Sequence, residues 1–162
     1  YKQFKSNITR RIVSELPRSA NLKKIVFPVR FREKQFTDAI KKHRPDVVLG
    51  LGQCSTGTKL RIERRAVNRR RNNKEEKGRA ITRGAPNALA ATLRLHKSDF
   101  GKEAKISRDA GDYVCNFSMY VVLDYLRRHR RDARFGFVHV PHDYDRKRAV
   151  KWAARILRAL ER

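Results

Sequence analysis

"DVVLGLG", residues 46–52, is a short apolar run that stops at glycines. It does not alternate polar with apolar residues, so both faces of the segment favour cover, as in strands buried between two helical layers. It reads as the central strand of an α/β sheet. A helix precedes it over Glu33–His43, with Phe36, Ala39 and Ile40 on one face and Pro45 at its end. An earlier helix carries Ile8, Ile12, Val13 and Leu16 at helical spacing and closes at Pro17. Between the two, "KKIVFPVRF" (23–31) reads as a strand that Pro28 confines to an edge or a bulge. Downstream, Leu60, Ile62 and Ala66 alternate with Arg61, Glu63, Arg65 and Val67, predicting one strand over 59–68 with a more polar face. "RRRNNKEEKGR" (69–79) is a solvated loop, "APNALAATLRL" (85–95) suits helix or extended chain equally, and "AKIS" (104–107) is a short strand. From Cys115 to about Arg130 the pattern is helical, and only Ser118 and Asp124 interrupt it between Phe117 and Leu126, so this helix is buried on most sides. "RFGFVHV" (134–140) is a strand, and a last helix from about Asp145 lines up Ala149, Val150, Ala153, Ile156, Leu157 and Leu160. Strands alternating with helices predict a three-layer α/β/α sandwich around a mixed, largely parallel sheet.

A chain of 162 residues with 40% hydrophobic content suffices for one core, and a single domain over 1–162 is expected. No stretch approaches the roughly 20 apolar residues of a membrane span, and the start at Tyr1 lacks a hydrophobic leader, so a cytoplasmic protein without a membrane partner is expected. Cys54 and Cys115 read as free thiols. Forty-one Lys and Arg against sixteen Asp and Glu give a formal charge of +25. The basic residues run from Lys2 to Arg162 without forming one cluster, and Arg127, Arg128, Arg130 and Arg131 also complement a helix C-terminus. The charge predicts non-specific adhesion to nucleic acid and carries no information about fold.

Three positions carry the chemistry. Cys115 lies in "DAGDYVCNFSMY" (109–120), where a turn with one glycine leads into the long helix. A helix N-terminus favours a thiolate and offers N–H groups to an oxyanion, although a free cysteine there is commonly core. His139 sits in "GFVHVP" (136–141), near the C-terminal end of a parallel strand, where α/β folds gather their sites. Its plainer reading is a satisfied core histidine. Glu63, in "RIERRAVN" (61–68), has a salt bridge with Arg61, Arg64 or Arg65 as its plainer reading. Together they are a Cys, a His and a Glu at the ends of three different strands, the residue types that catalysis by a thiol needs. Cys54, in a glycine-rich turn, is a weaker second thiol. His139, His142 and Asp143 lack the spacing of a metal site, so none is expected, and "LGLGQ" is too short for a dinucleotide fingerprint.

Residues 51–53 "LGQ", Glu63 ten residues after Gln53, Asn68, "GAPNALAATL" (84–93), "DAGDYVCNFSMY" and "GFVHVP" together resemble the type I pyroglutamyl peptidases, also called pyrrolidone-carboxylate peptidases. The interval of 24 residues from Cys115 to His139 agrees, and the block Cys115-Asn116-x-x-x-Tyr120 is the most specific part. The resemblance runs from about Asn7 to the C-terminus. It implies a phosphorylase/hydrolase-like α/β fold and a cofactor-free cysteine exopeptidase that removes N-terminal pyroglutamate from peptides through an acyl-enzyme. It implies Cys115 as nucleophile, His139 as general base and Glu63 as its orienting group. Gln53, Tyr113, Val114 and the aromatic Phe4 are implied to line the lactam pocket, and a homo-oligomer is compatible with the family. Several features depart from the family pattern. The usual first strand and its Gly-Phe-x-x-Phe-Gly segment do not occur in this sequence, and "YKQFKSN" (1–7) is read as the remnant of that loop, in a chain either trimmed there or with a pocket built differently. The loop after Asn68 lacks the Ala-Arg-Ile-Pro-Asp-Asn run, which leaves Arg69, Arg70 and Arg71 as substitutes for its arginine. Gly57 or Thr58 replaces another expected arginine, and the short interval before Cys115 predicts a helix lost or cut down near 96–105. These departures sustain a second reading, a catalytically weak relative that binds a partner such as nucleic acid.

Overall fold

The computed structural model describes residues 6–161. Strand β6 (Arg134–Pro141) is the axis of its main sheet and is buried at every position after Arg134. It pairs in parallel with β1 (Val47–Cys54) and antiparallel with β2 (Leu60–Glu63). β2 in turn pairs in parallel with β5 (Ala104–Ser107), giving the order β1-β6-β2-β5. The sheet is mixed and mostly parallel, and helices flank both faces. Helices α1 (Ile8–Glu15) and α4 (Arg146–Leu160) cover the face that presents Leu60, Ile62, Val138 and Val140. Helices α2 (Glu33–His43) and α3 (Val114–Arg128) cover the face that presents Phe135 and Phe137. A second, two-stranded sheet of β3 (Arg65–Val67) and β4 (Ala88–Ala90) delivers Ala66 and Leu89 to the same α3 core. No helix among the described residues is long and apolar enough to cross a membrane.

The helices begin and end for local reasons. Asn7 Oδ1 accepts from Thr9 N at 2.9 Å to cap α1, and Asp145 Oδ1 accepts from Arg148 N at 2.8 Å to cap α4. α2 ends at Arg44 in the left-handed conformation, φ 44°, just before Pro45. α3 differs, because no side chain caps its first turn. Its early N–H groups keep their polarity for another use.

Three sequence expectations are corrected. β1 is an edge strand of the described sheet, and its residues Val47–Leu51 are only half-buried. The continuous burial lies in β6, which takes the centre. β1 reads as two-sidedly apolar because Gly50 and Gly52 leave room for the Phe137 ring; a Cβ at Gly50 would lie 2.5 Å from Phe137 Cδ2. "KKIVFPVRF" forms no strand. Its aromatics pin irregular chain to the α2/α3 layer, with Phe27 packed on Phe36 (4.9 Å between centroids) and Phe31 on Phe117 (5.3 Å). Val26 and Val29 stay more than half exposed, and Pro28 offers no N–H to a ladder. The strand expected over 59–68 breaks at Arg64, where the chain passes between sheets: Arg64 N donates to Ser107 O (2.7 Å) and Arg64 O accepts from Ala91 N (2.9 Å). Glu63, assigned to the more polar face, is 1% exposed. The ambiguous stretch 85–95 supplies β4, and residues 97–103 form two short 3-10 turns in place of a helix.

Candidate active site

Strand register aligns the site. Gly52 of β1 and Arg61 of β2 both pair with His139 of β6, so Gly52, His139 and Arg61 lie in one row across the sheet. The neighbouring row contains Gly50, Phe137 and Glu63. Residues on alternate positions of these strands pack toward α1 and α4, so both rows face α3. Cys115, the second residue of α3, stands over the first row: a Cβ built on Gly52 would meet its Sγ at 2.8 Å. The glycine is the floor on which the thiol rests.

His139 Nδ1 lies 2.7 Å from Glu63 Oε1, and the imidazole is also hydrogen-bonded to the Cys115 thiol. The carboxylate fixes one ring nitrogen and leaves the other for sulfur. The Phe137 ring meets the imidazole edge-on, with 5.2 Å between centroids. His139 is 3% exposed and Glu63 1%, whereas Cys115 is only half-buried. Cys115 is thus the most exposed residue of the three. Burial alone would push the His139 imidazole down, but its hydrogen bonds to Cys115 and Glu63, with their negative charge, outweigh that and hold it at about 9. A proton resting on the imidazole stabilises a thiolate next to it.

The turn before Cys115 is held from two sides. Asn116, fully buried, accepts from Val67 N (2.8 Å) and donates to Val67 O and Arg69 O (2.9 Å each), tying α3 to β3 and the basic loop. Buried Asp112 accepts from Arg71 Nε (2.8 Å) and lies 3.5 Å from Arg69 Nε. The Arg71 guanidinium also lies over the Tyr113 ring, at 5.6 Å. Tyr120 OH donates to Pro86 O at 2.6 Å, so the Cys-Asn-x-x-x-Tyr block closes onto 84–93. Of the three candidate arginines, Arg71 comes nearest the turn, and Arg70 lies over Phe31 and Phe117 instead.

Other expected positions fall as follows. Tyr113 and Val114 open α3 and are half-buried beside Cys115. Gln53 is buried on the opposite face of β1 from Gly52, its Oε1 accepting from Ile8 N at 2.8 Å, so it anchors the start of α1. Phe4 lies outside the described residues. Cys54 shares the Gly52 face of β1 but is buried, and burial pushes its thiol up, away from the reactive form. Gly57, at φ 82°, turns an exposed loop. The roles of Gly52, Asp112 and Asn116 went unrecognised in the sequence; the signals for Asn116 were its place in the Cys-Asn-x-x-x-Tyr block and a polar side chain in a helix read as buried.

One consequence concerns Gly52. Its backbone suits any residue, so Gly52→Ala acts through space alone: the new methyl meets Cys115 Sγ at 2.8 Å and two Phe137 ring atoms at 2.7 and 2.9 Å. We expect thermal unfolding to show a loss of about 1–3 kcal/mol and kcat/KM to fall by about 10²-fold as the sulfur leaves its place. Gly57→Ala, with nothing within 4 Å, is the control that costs backbone energy without touching activity.

A mixed α/β sheet here brings a thiol, an imidazole and a carboxylate into series, the residue types that thiol-dependent catalysis uses. The sequence model of the pyroglutamyl peptidase family matches residues 1–147. The chain belongs to the pyroglutamyl peptidase family. It is 32% identical to the pyrrolidone-carboxylate peptidase of Bacillus velezensis, over 65% of this chain and 54% of that protein. Identity to the enzyme of the same name from Halalkalibacterium halodurans is 31%, over 87% of this chain and 79% of the relative. A solved mutant of the pyrrolidone carboxyl peptidase of Pyrococcus furiosus superposes with a TM-score of 0.84 at 25% identity, covering 98% of this chain and 93% of that one. The match spans about half the length of the first curated relatives.

Proposed function

We propose that this chain, as one domain, is a cysteine exopeptidase that hydrolyses N-terminal pyroglutamate from peptides. The observation that carries the reading is the series Cys115–His139–Glu63, with a half-buried Cys115 at an uncapped helix start and a buried imidazole and carboxylate behind it. In the first step the Cys115 thiolate forms a bond to the pyroglutamyl carbonyl carbon, and the carbonyl electron pair moves to oxygen. The backbone N–H of Cys115, in the first turn of α3 where no side chain caps the helix, is the proposed donor to that oxyanion. His139 then gives its proton to the leaving amine as the C–N bond breaks, and a thioester remains on Cys115. Water, losing a proton to His139, hydrolyses the thioester and restores the thiol. Glu63 holds the imidazole in the orientation that serves both transfers. Tyr113 and Val114, beside the thiol, are proposed to line the pocket for the lactam ring, a small neutral group suited to a mostly apolar slot. Phe4 keeps its proposed place at that pocket through the family resemblance alone, whereas Gln53, bonded to Ile8 N on the other face of β1, is proposed to support the chain that leads to it.

The test is selectivity. The chain is expected to release a fluorophore from a pyroglutamyl amide and not from the matching prolyl or glutamyl amides, because the ring amide and the missing N-terminal charge are both read. Comparable release from the prolyl amide would overturn the substrate assignment.

A further inference from the structure

Arg61 has no part in the mechanism above, yet it lies in the same row as Gly52 and His139. Leu60 and Ile62 on either side of it are buried in the α1/α4 core, so strand geometry sends the Arg61 side chain to the face of the site. That side chain is 25% exposed, and its Nε is buried without a hydrogen bond among the described residues, 3.6 Å from Glu63 Oε1. The other carboxylate oxygen, Glu63 Oε2, is likewise buried without a partner among the described residues. A permanent cation and a buried carboxylate therefore stand in ion-pair contact and leave hydrogen-bonding capacity unused on both sides. The other titratable groups at this corner are His139 from β6, Cys115 from α3 and Cys54 from β1, and Cys54 feels the charges of Arg61, Cys115 and Glu63.

This arrangement meets a requirement of the proposed cycle. The imidazole alternates between charged and neutral, and whenever it is neutral Glu63 would be a buried anion facing only a neutral N–H. A buried charge without a countercharge is strongly disfavoured. Arginine cannot lose its proton in this range, so it supplies the countercharge in both states. We propose that Arg61 is a positioning residue that, acting through Glu63, keeps the carboxylate an acceptor for His139 throughout the cycle and sets the pH range in which the Cys115–His139 pair is reactive. This rests on the peptidase reading for its catalytic meaning, but not for its electrostatic test.

The sign follows from the charge. A fixed cation at this corner favours a thiolate at Cys115 and disfavours a second cation on His139, so removing it moves both limbs of the pH profile upward. The probe is iodoacetamide, with alkylation followed by the mass of the peptide that carries Cys115. Arg61→Met, which keeps most of the stem, is expected to move the alkylation profile up by about one pH unit, or about tenfold slower labelling at a given pH on its acid limb. Arg61→Lys, which keeps the charge, is expected to stay near the wild type. Should Arg61→Met fail to fold, Arg61→Gln is read in the same way. Superimposable profiles for wild type and the uncharged variant would overturn the proposal, as would an equal shift in Arg61→Lys, since both assign Arg61 to packing. Where a pyroglutamyl amide is hydrolysed, kcat/KM is expected to shift by the same amount. If the amide is not hydrolysed and the alkylation shift is present, the substrate reading fails and the role of Arg61 stands.

Discussion

Replacing Cys115 by alanine is expected to lower kcat/KM for a pyroglutamyl amide by about 10⁴-fold or more. The expectation follows from position. Cys115 is the one member of the series that is half-buried, and the imidazole and carboxylate behind it are buried. Structure should suffer little, because the sulfur rests on Gly52, which offers no side chain to lose contact with. Removing the thiol also takes from His139 one of the two groups that hold its proton. Enzyme assays and thermal unfolding on the same preparation separate the effects: activity lost with the melting temperature nearly kept. Residual turnover within tenfold of the wild type would assign the chemistry elsewhere, with buried Cys54 the next thiol to examine.

The second large effect belongs to His139. His139→Gln keeps a donor for Glu63 but neither takes up nor gives a proton, and kcat/KM is expected to fall by about 10³- to 10⁴-fold. The same variant reports on stability against pH. The native imidazole is raised from its ordinary 6.5 to about 9, so the folded state holds its proton more tightly than the unfolded chain does. The stabilisation is complete below about 6.5 and is lost as pH rises through about 9. The wild type should therefore lose stability over that window more steeply than His139→Gln. Parallel curves from denaturant titrations would show that the imidazole carries no such proton.

How much of this was legible in the sequence differs by element. β6 was readable because its seven residues after Arg134 are all buried and, apart from Gly136 and His139, those before Pro141 carry apolar or aromatic side chains. α3 was readable because nearly every side chain from Asn116 to Leu126 is buried, so its pattern had almost no polar face to confuse. β1 misled for a physical reason: glycines at 50 and 52 look like strand terminators, yet they are seats for Phe137 and Cys115. The segment 23–31 misled because its apolar residues include two aromatics that anchor irregular chain as effectively as a ladder would. Cys115, His139 and Glu63 were found through motif and spacing, whereas their contacts depend on register. The antiparallel β2–β6 pairing that sets Arg61 opposite His139, with Glu63 one row away, has no local signature. Asp112 and the basic loop were invisible for the same reason, since Arg71 lies 41 positions from the carboxylate it binds.

The most direct test of the account is to trap its covalent intermediate. The wild-type chain, mixed with a pyroglutamyl thioester, quenched in acid and digested, should yield the peptide that carries Cys115 with the mass of one added pyroglutamyl group. The Cys115→Ala chain should yield none, and Cys54 should remain unmodified. Turnover of the thioester without an adduct on Cys115, or with the adduct on Cys54, would contradict the mechanism.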